Sequence, residues 1–393
     1  MTDDVVIVAA CRTPIGRFQG GLKDLKAPQL GSIALKEALK RAHMDAKDVD
    51  EVIMGNVLSA GVGQNPARQA ALGAGFPVEV AAFTVNKVCG SSLKAVMLAT
   101  QAIKAGDAKA IVAGGQESMT NAPYLLPKAR DGYRLGNGEV VDSLIHDGLL
   151  DIYHGVHMGN TGEIVAERYH ITREMADRFS VRSHALAKKA TDEGKFKDEI
   201  VPVTIPQKKG EPVTVAHDEG IRPSDAATLA RLKPAFKEGG IVTAGNSSQI
   251  SDGASAVVVM SGAEAQRRGL KPLARIVGYT TAGTKPEWVM EAPIPGVRKL
   301  LERTKHKIED VDLVEHNEAF ATASCAVMQE LHVPEDRFNV HGGAVALGHP
   351  IGASGARVLT TLVHALRERK KDRGVATLCL GGGNAVSMMV ERV

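Results

Sequence analysis

Two patterns of apolar positions alternate along most of the chain. Leu93, Val96, Met97, Thr100 and Ile103 recur at helical spacing and Gly106 stops the run, which predicts a helix with one buried face. Short apolar runs flank it: Phe83-Thr84-Val85 before, and Ala110 to Ala113 after, the latter ending in Gly114-Gly115. They predict buried strands. The order returns late in the chain, where Val358, Leu359, Leu362, Val363 and Leu366 mark a helix and Val375 to Leu380 a strand running into Gly381-Gly382-Gly383. A second echo links Lys36 to Met54 with Arg298 to His316, each with an Asp-Val-Asp (48–50 and 310–312) before an apolar strand. Repeated alternation of strand and helix predicts two α/β halves.

Between the halves, roughly Thr120 to Thr243, proline, glycine and charge break the rhythm. Helical patterns remain at Glu163 to Tyr169 and Arg173 to Glu193. This stretch reads as a partly helical insertion, a place where ligand contacts often lie over a rigid scaffold.

Composition narrows the classes. A chain of 393 residues, 44% of them hydrophobic, can fill two or three sizeable cores. Lys and Arg number 48 against 45 Asp and Glu, a balance that argues against a nucleic-acid binder with one dominant basic face. The start, Met1-Thr2-Asp3-Asp4, carries acid where a leader carries base, and the run Val5 to Ala10 is too short to span a membrane, so a cytoplasmic protein is expected. Four scattered cysteines (Cys11, Cys89, Cys325, Cys379) predict free thiols and permit a catalytic one.

Cys89-Gly90-Ser91-Ser92 opens the first helix. Free backbone N–H groups and the helix dipole favour a thiolate there, and Gly90 leaves room for a substrate to approach the sulfur. The competing reading is a small cysteine packed beneath a helix. A nucleophile also needs a base and an oxyanion site. His349, in Gly348-His349-Pro350-Ile351-Gly352, is a better base candidate than His341 in His341-Gly342-Gly343. Cys379 lies near a strand tip before Gly381, where exposed N–H groups could hold an oxyanion; a buried strand cysteine beside a flexible loop is the alternative. Asn317, in Asn317-Glu318-Ala319-Phe320, could hold a water or ligand, or simply cap the helix that follows.

Four segments, Val85-Asn86-Lys87-Val88-Cys89-Gly90-Ser91, Asn317-Glu318-Ala319-Phe320, Gly348-His349-Pro350-Ile351-Gly352 and Cys379-Leu380-Gly381-Gly382-Gly383, resemble the thiolase family in order and content, and the likeness covers essentially the whole chain. The resemblance implies an α/β, thiolase-like duplicated five-layered α-β-α-β-α fold. Its N-terminal half would be residues 1–120 and 250–271, its C-terminal half 272–393, and an inserted loop domain over coenzyme A (CoA) 121–249. It implies reversible, ping-pong acetyl transfer: two acetyl-CoA to acetoacetyl-CoA and CoA, or thiolysis of a 3-ketoacyl-CoA. Cys89 would be acylated with the help of His349, and Cys379 would be the second acid/base. One oxyanion site would pair His349 with a water on Asn317, and the other would use the N–H groups of Cys89 and Gly381. His157, Met158, Ala244 and Ser248 would contact CoA, with Phe236, Ala319 and Phe320 along the pantetheine tunnel and Arg222 and Met290 as further contacts. CoA thioesters are then substrates, with no resident cofactor and no metal, and a homo-oligomer, dimer or tetramer, is expected.

Three places depart from the family pattern: Ser92, where many members carry glycine; Ala385, at the last glycine of the Cys379 motif, where a positive φ or close packing would force an adjustment; and the glycine-poor Met290 to Pro295. Rival readings are a carrier-protein ketoacyl synthase, disfavoured by Cys379 in place of a second histidine, a 3-ketoacyl-CoA thiolase for longer chains, and an acyl-CoA binder without catalysis. A metal site of His341, His349 and Cys379 lacks paired ligand spacing, and no dinucleotide fingerprint follows a strand. Cys11 and Cys325 read as structural thiols.

Overall fold

A computed structural model describes residues 4–222 and 225–393; Met1, Thr2 and Asp3 of the acidic start lie outside them. Nine strands, β1 Val5–Arg12, β2 Glu51–Gly55, β3 Ala81–Val85, β4 Ala110–Ser118, β5 Ser251–Ser261, β6 Ala274–Gly283, β7 Leu313–His316, β8 Arg373–Leu380 and β9 Asn384–Arg392, hydrogen-bond in the order β7-β8-β9-β6-β1-β5-β4-β2-β3. The duplication is explicit in this order. In the first half β1, β5 and β4 run antiparallel and β4, β2 and β3 parallel. In the second half β6, β9 and β8 run antiparallel and β8 and β7 parallel, with a parallel bridge from Val314 to Phe338 taking the place of the last strand. Among the described residues, the strand pairing that joins the two half-sheets is Val6–Arg275 and Ile7–Ala274 of β1 and β6.

The longer helices are α1 Ala27–Arg41, α2 Pro66–Gly73, α3 Ser91–Ala105, α4 Met158–Arg168, α5 Arg173–Asp192, α6 Pro293–Thr304, α7 Ala321–Glu330 and α8 Ser354–Glu368. Their apolar faces sort them into layers. Leu93, Val96 and Met97 of α3 and Val358, Leu359 and Leu362 of α8 pack together between Ile53 and Ile111 of one half-sheet and Ala376 and Leu378 of the other. Leu30, Ala34 and Ala70 of α1 and α2 cover the outer face at Val52 and Val112. Val297 and Leu300 of α6, with Ala323 and Val327 of α7, cover the other outer face at Val314 and Val375. Five layers result, α-β-α-β-α, and side chains such as Leu359, buried on every side, each contribute about 2 kcal/mol of apolar transfer.

The central pair α3 and α8 decides where the site forms. A Cβ on Gly355 would come within 2.4 Å of the Leu93 backbone nitrogen, so the first turns of the two helices touch. Ser92 is used in that contact: its Oγ accepts from the Ala356 N–H at 2.9 Å. Because both helices start from the same spot, the loops that precede them, bearing Cys89 and His349, converge.

The strand expected to end at Gly114-Gly115 continues to Ser118. Both glycines are required by packing, since a Cβ on Gly114 would strike Ser255 O at 2.1 Å and one on Gly115 would strike Gly352 O at 2.1 Å. In the insertion, α4 begins at Met158, earlier than its apolar pattern, because the His157 ring caps it by accepting from the Gly159 N–H at 3.0 Å. Among the described residues no helix is long and apolar enough to cross a membrane.

Candidate active site

Cys89 lies outside α3, one residue before its N-cap Gly90, on a turn where Val88 holds φ at 47°. A β-branched residue rarely adopts that conformation, and here it is held by three hydrogen bonds. Asn86 Oδ1 accepts from the Val88 N–H at 3.0 Å, and Ser91 Oγ accepts from the Lys87 N–H at 2.8 Å while donating to Val88 O at 2.6 Å. Gly90 does not serve substrate access as the sequence suggested. A Cβ there would meet Leu380 Cδ2 at 2.3 Å and Val386 Cγ2 at 2.7 Å, so the glycine lets the nucleophile turn press against β8 and β9. That contact sets Gly381 beside the nucleophile turn, where a Cβ on it would meet Val88 Cγ1 at 3.3 Å, and its N–H and that of Cys89 are near enough to the Cys89 sulfur to favour the thiolate.

Burial dominates the chemistry of the sulfur. It pushes the Cys89 thiol up to about 12, against the two N–H groups, and the nearby Glu117 carboxylate adds to the rise. The helix-end thiolate expected from sequence is therefore outweighed, and Cys89 rests as a thiol that needs a base.

His349 is equipped for that task. Burial first, and the Arg357 guanidinium second, lower its pKa to about 3, leaving a neutral imidazole. Its Nδ1 lies 2.6 Å from Ser354 Oγ, which donates to Pro350 O at 2.9 Å. A hydroxyl has one proton, so Ser354 accepts from Nδ1–H and Nε2 carries the lone pair, which accepts weakly from Asn317 Nδ2. Nε2 faces Asn317 Nδ2 at 3.4 Å. Asn317 does not cap α7, whose N-cap is Phe320; its side-chain oxygen is buried without a protein partner. Its N–H donates to Thr377 O of β8 at 3.1 Å, fixing the motif beside Cys379.

Cys379 is buried near the end of β8, opposite Ala385, with its Sγ 3.7 Å from Met290 Sδ. Its thiol is pushed upward by burial and then by proximity to Cys89. Met290 thus stands against the second thiol. Ala385 lies in regular β9 without positive φ, its methyl turned toward Gly296 of α6, so this departure needs no backbone adjustment. His341 sits elsewhere, 3.4 Å from Glu368 and edge-on to Phe196, so His341, His349 and Cys379 do not cluster. No group of three or more metal-ligating side chains occurs among the described residues. Cys11 and Cys325 donate to Ala34 O and Met175 O, at 3.3 and 3.8 Å.

A cavity of about 510 Å³ opens from His349 to the surface. Arg222, Ala244 and Ser248 line it, as do His157, Phe236 and Phe320. His157 stacks on Phe236 with centroids 4.7 Å apart, and Phe320 meets the Phe236 ring edge-on at 6.1 Å. Met158 and Ala319 are placed behind this wall, in the core cluster that also holds Phe320. Met119, Leu149 and Ile351 also line the cavity, and Met119 and Ile351 belong to the apolar cluster against which Cys89 packs.

Several residues escaped the sequence reading. Glu117 is buried and accepts from Asn56 Nδ2 at 2.7 Å and from the N–H groups of Val57, Leu58 and Gly352 at 3.0, 3.1 and 2.8 Å. It ties the loop after β2 to the His349 loop. Ser354, Arg17 and Phe18 were missed as well; only the acidic residue inside an apolar strand, Glu117, left a signal that could have been read.

A nucleophile, a second thiol close to it and a neutral base that lines the cavity are the parts of thioester chemistry. Residues 5–263 match the family model "Thiolase, N-terminal domain" and residues 270–392 match "Thiolase, C-terminal domain". The chain belongs to the thiolase family. This thiolase is an acyltransferase. It is 53% identical over 392 residues to the acetyl-CoA acetyltransferase of Cupriavidus necator, covering 99% of each chain, and 51% identical over 389 residues to that of Escherichia coli, again 99% of each. The crystal structure of the Bacillus anthracis acetyl-CoA acetyltransferase superposes with a TM-score of 0.97 at 44% identity, covering 99% of both chains. The duplicated thiolase fold expected from the motifs is the one observed.

Proposed function

We propose that this thiolase transfers acetyl groups reversibly between CoA thioesters, condensing two acetyl-CoA to acetoacetyl-CoA and CoA or running the reverse thiolysis. The observation that carries the reading is the packing of Gly381 against Val88, which sets a backbone N–H of one half beside the nucleophile turn of the other, where it can serve as an oxyanion donor.

His349 Nε2 takes the Cys89 proton, and the thiolate attacks the thioester carbonyl. The oxyanion forms at the N–H groups of Cys89 and Gly381. CoA leaves as its thiolate and takes a proton from Cys379, so acetyl-Cys89, imidazolium and a Cys379 thiolate remain. A second acetyl-CoA then loses a methyl proton to Cys379. Its enolate oxygen is held by Nε2–H of the now charged His349 and by a water on Asn317, whose unpartnered oxygen supports a bound water. The carbanion attacks acetyl-Cys89; on collapse, Cys89 leaves as a thiolate and recovers its proton from His349. Each group ends as it began, with no resident cofactor.

A short acyl group is favoured because the apolar cluster that includes Met119 and Ile351 packs against Cys89. His157, Phe236 and Phe320 would flank pantetheine. We also read the protein as a cytoplasmic homo-oligomer, a dimer or tetramer. The apolar, solvent-facing Leu126 and Leu135 between the paired strands Tyr124–Leu125 and Val141–Asp142 support self-association. Thiolysis rates across 3-ketoacyl-CoA chain lengths test the reading: rates highest for acetoacetyl-CoA are expected, and a maximum at long chains would overturn the short-chain assignment.

A further inference from the structure

The mouth of the substrate cavity carries a basic side chain that lies outside every motif. Arg17 and Phe18 line it, together with Arg222. Among the described residues no Asp or Glu lines it, so the permanently charged side chains along it are basic. Arg17 is exposed, and among the described residues its guanidinium forms no ion pair.

The backbone under Arg17 is fixed on two sides. Arg17 pairs in antiparallel register with Ser251, and the Phe18 N–H donates to Ile250 O at 3.0 Å. Ser251 Oγ in turn lies 3.2 Å from the His349 N–H, so this edge is continuous with the catalytic loop. On the other side Glu219 accepts from the N–H groups of Arg17 and Gly21, each at 3.0 Å. The Glu219 N–H donates to Ile15 O at 3.0 Å, and Asp218 accepts from the Ile15 N–H at 2.8 Å while pairing with buried Arg12 at 2.6 Å. Arg17 and Arg222 are therefore carried by two short segments locked into one platform. A cation held on ordered backbone loses less freedom on binding than one on a loose loop.

With the thioester at Cys89, the phosphorylated adenosine end of the substrate must leave through this mouth. We propose that Arg17 is a binding residue for the phosphate groups of the CoA thioester, acting beside Arg222, with Glu219 as the positioning residue that aims its backbone. The proposal rests on the reading of the cavity as a CoA site.

Calorimetric titration of the full chain with CoA and with pantetheine, which lacks the phosphates, tests it. Arg17→Ala is expected to weaken CoA about fivefold, the size of one solvent-exposed charge contact, and more at low ionic strength. Pantetheine affinity is expected to stay unchanged, and Arg17→Lys to recover most of the CoA affinity. Unchanged CoA affinity in Arg17→Ala, or an equal loss for pantetheine, would overturn the proposal, as would a wild-type chain that binds CoA no better than pantetheine. A wild-type chain that prefers CoA but transfers no acetyl group would refute the catalytic reading alone, and the two titrations would still decide the role of Arg17.

Discussion

Ser354 Oγ sits 2.6 Å from His349 Nδ1 and gives its own proton to Pro350 O, so a side chain in the first turn of α8 selects the imidazole tautomer that exposes a basic Nε2. Removing the hydroxyl lets the proton move to the wrong nitrogen. Ser354→Ala is expected to lower kcat about tenfold or more, the scale seen when a partner that orients a functional histidine is lost, with KM nearly unchanged. Steady-state thiolysis kinetics check this.

The two thiols have separable tasks. Cys379→Ala leaves the base, the nucleophile and the oxyanion donors of the first half-reaction in place and removes only the proton donor to the departing CoA thiolate, which water can protonate instead, so acetyl-CoA should still acetylate Cys89, more slowly. Condensation should fall by about 10²-fold or more, because the α-proton of the second substrate has lost its acceptor. Intact-mass analysis beside a condensation assay measures both. Loss of acetylation together with condensation would deny the division of roles.

Glu117 links stability to pH. Burial raises its pKa to about 7 despite four hydrogen bonds, so the folded state holds its proton more tightly than the unfolded chain. The sign follows: stability from this group is present below the ordinary value of 4.5 and is lost as pH rises through about 7. Glu117→Gln, which cannot titrate and faces backbone N–H donors with an amide, should be less stable than wild type by about 1–3 kcal/mol at low pH. The difference should narrow as pH rises across that window. Urea unfolding at several pH values measures it, and a gap that widens would contradict the assignment.

His157 stacks on Phe236 at 4.7 Å in the wall of the cavity. His157→Ala should raise KM for CoA thioesters about three- to tenfold, the size of a lost aromatic contact, and leave kcat within about twofold. A fall in kcat at unchanged KM would place His157 in the chemistry instead.

How much of this was legible in the sequence depends on the range of each interaction. The helices α3 and α8 and the glycine-rich turns announced themselves through local periodicity and punctuation, and the motif order carried the duplicated fold. What failed needed the tertiary structure. Gly90 was read as clearance for substrate, whereas its neighbours are Leu380 and Val386 from the far half. The thiolate at Cys89 was argued from a helix end, but desolvation, which sequence does not show, has the larger effect. Asn317 looked equally like a helix cap until α7 was found to start after Phe320. Ser92 and Ala385 depart from the family pattern. Ser92 bonds to Ala356, and Ala385 sits in regular strand.

The central claim is that Cys89 forms the covalent intermediate, and it is tested most directly by intact-mass analysis with peptide mapping after brief exposure to acetyl-CoA. The account predicts one acetyl group on Cys89 in the wild type, none in Cys89→Ala, and release of the label by free CoA. An acetyl group mapped to another residue, or a Cys89→Ala chain that still turns over acetoacetyl-CoA, would contradict it.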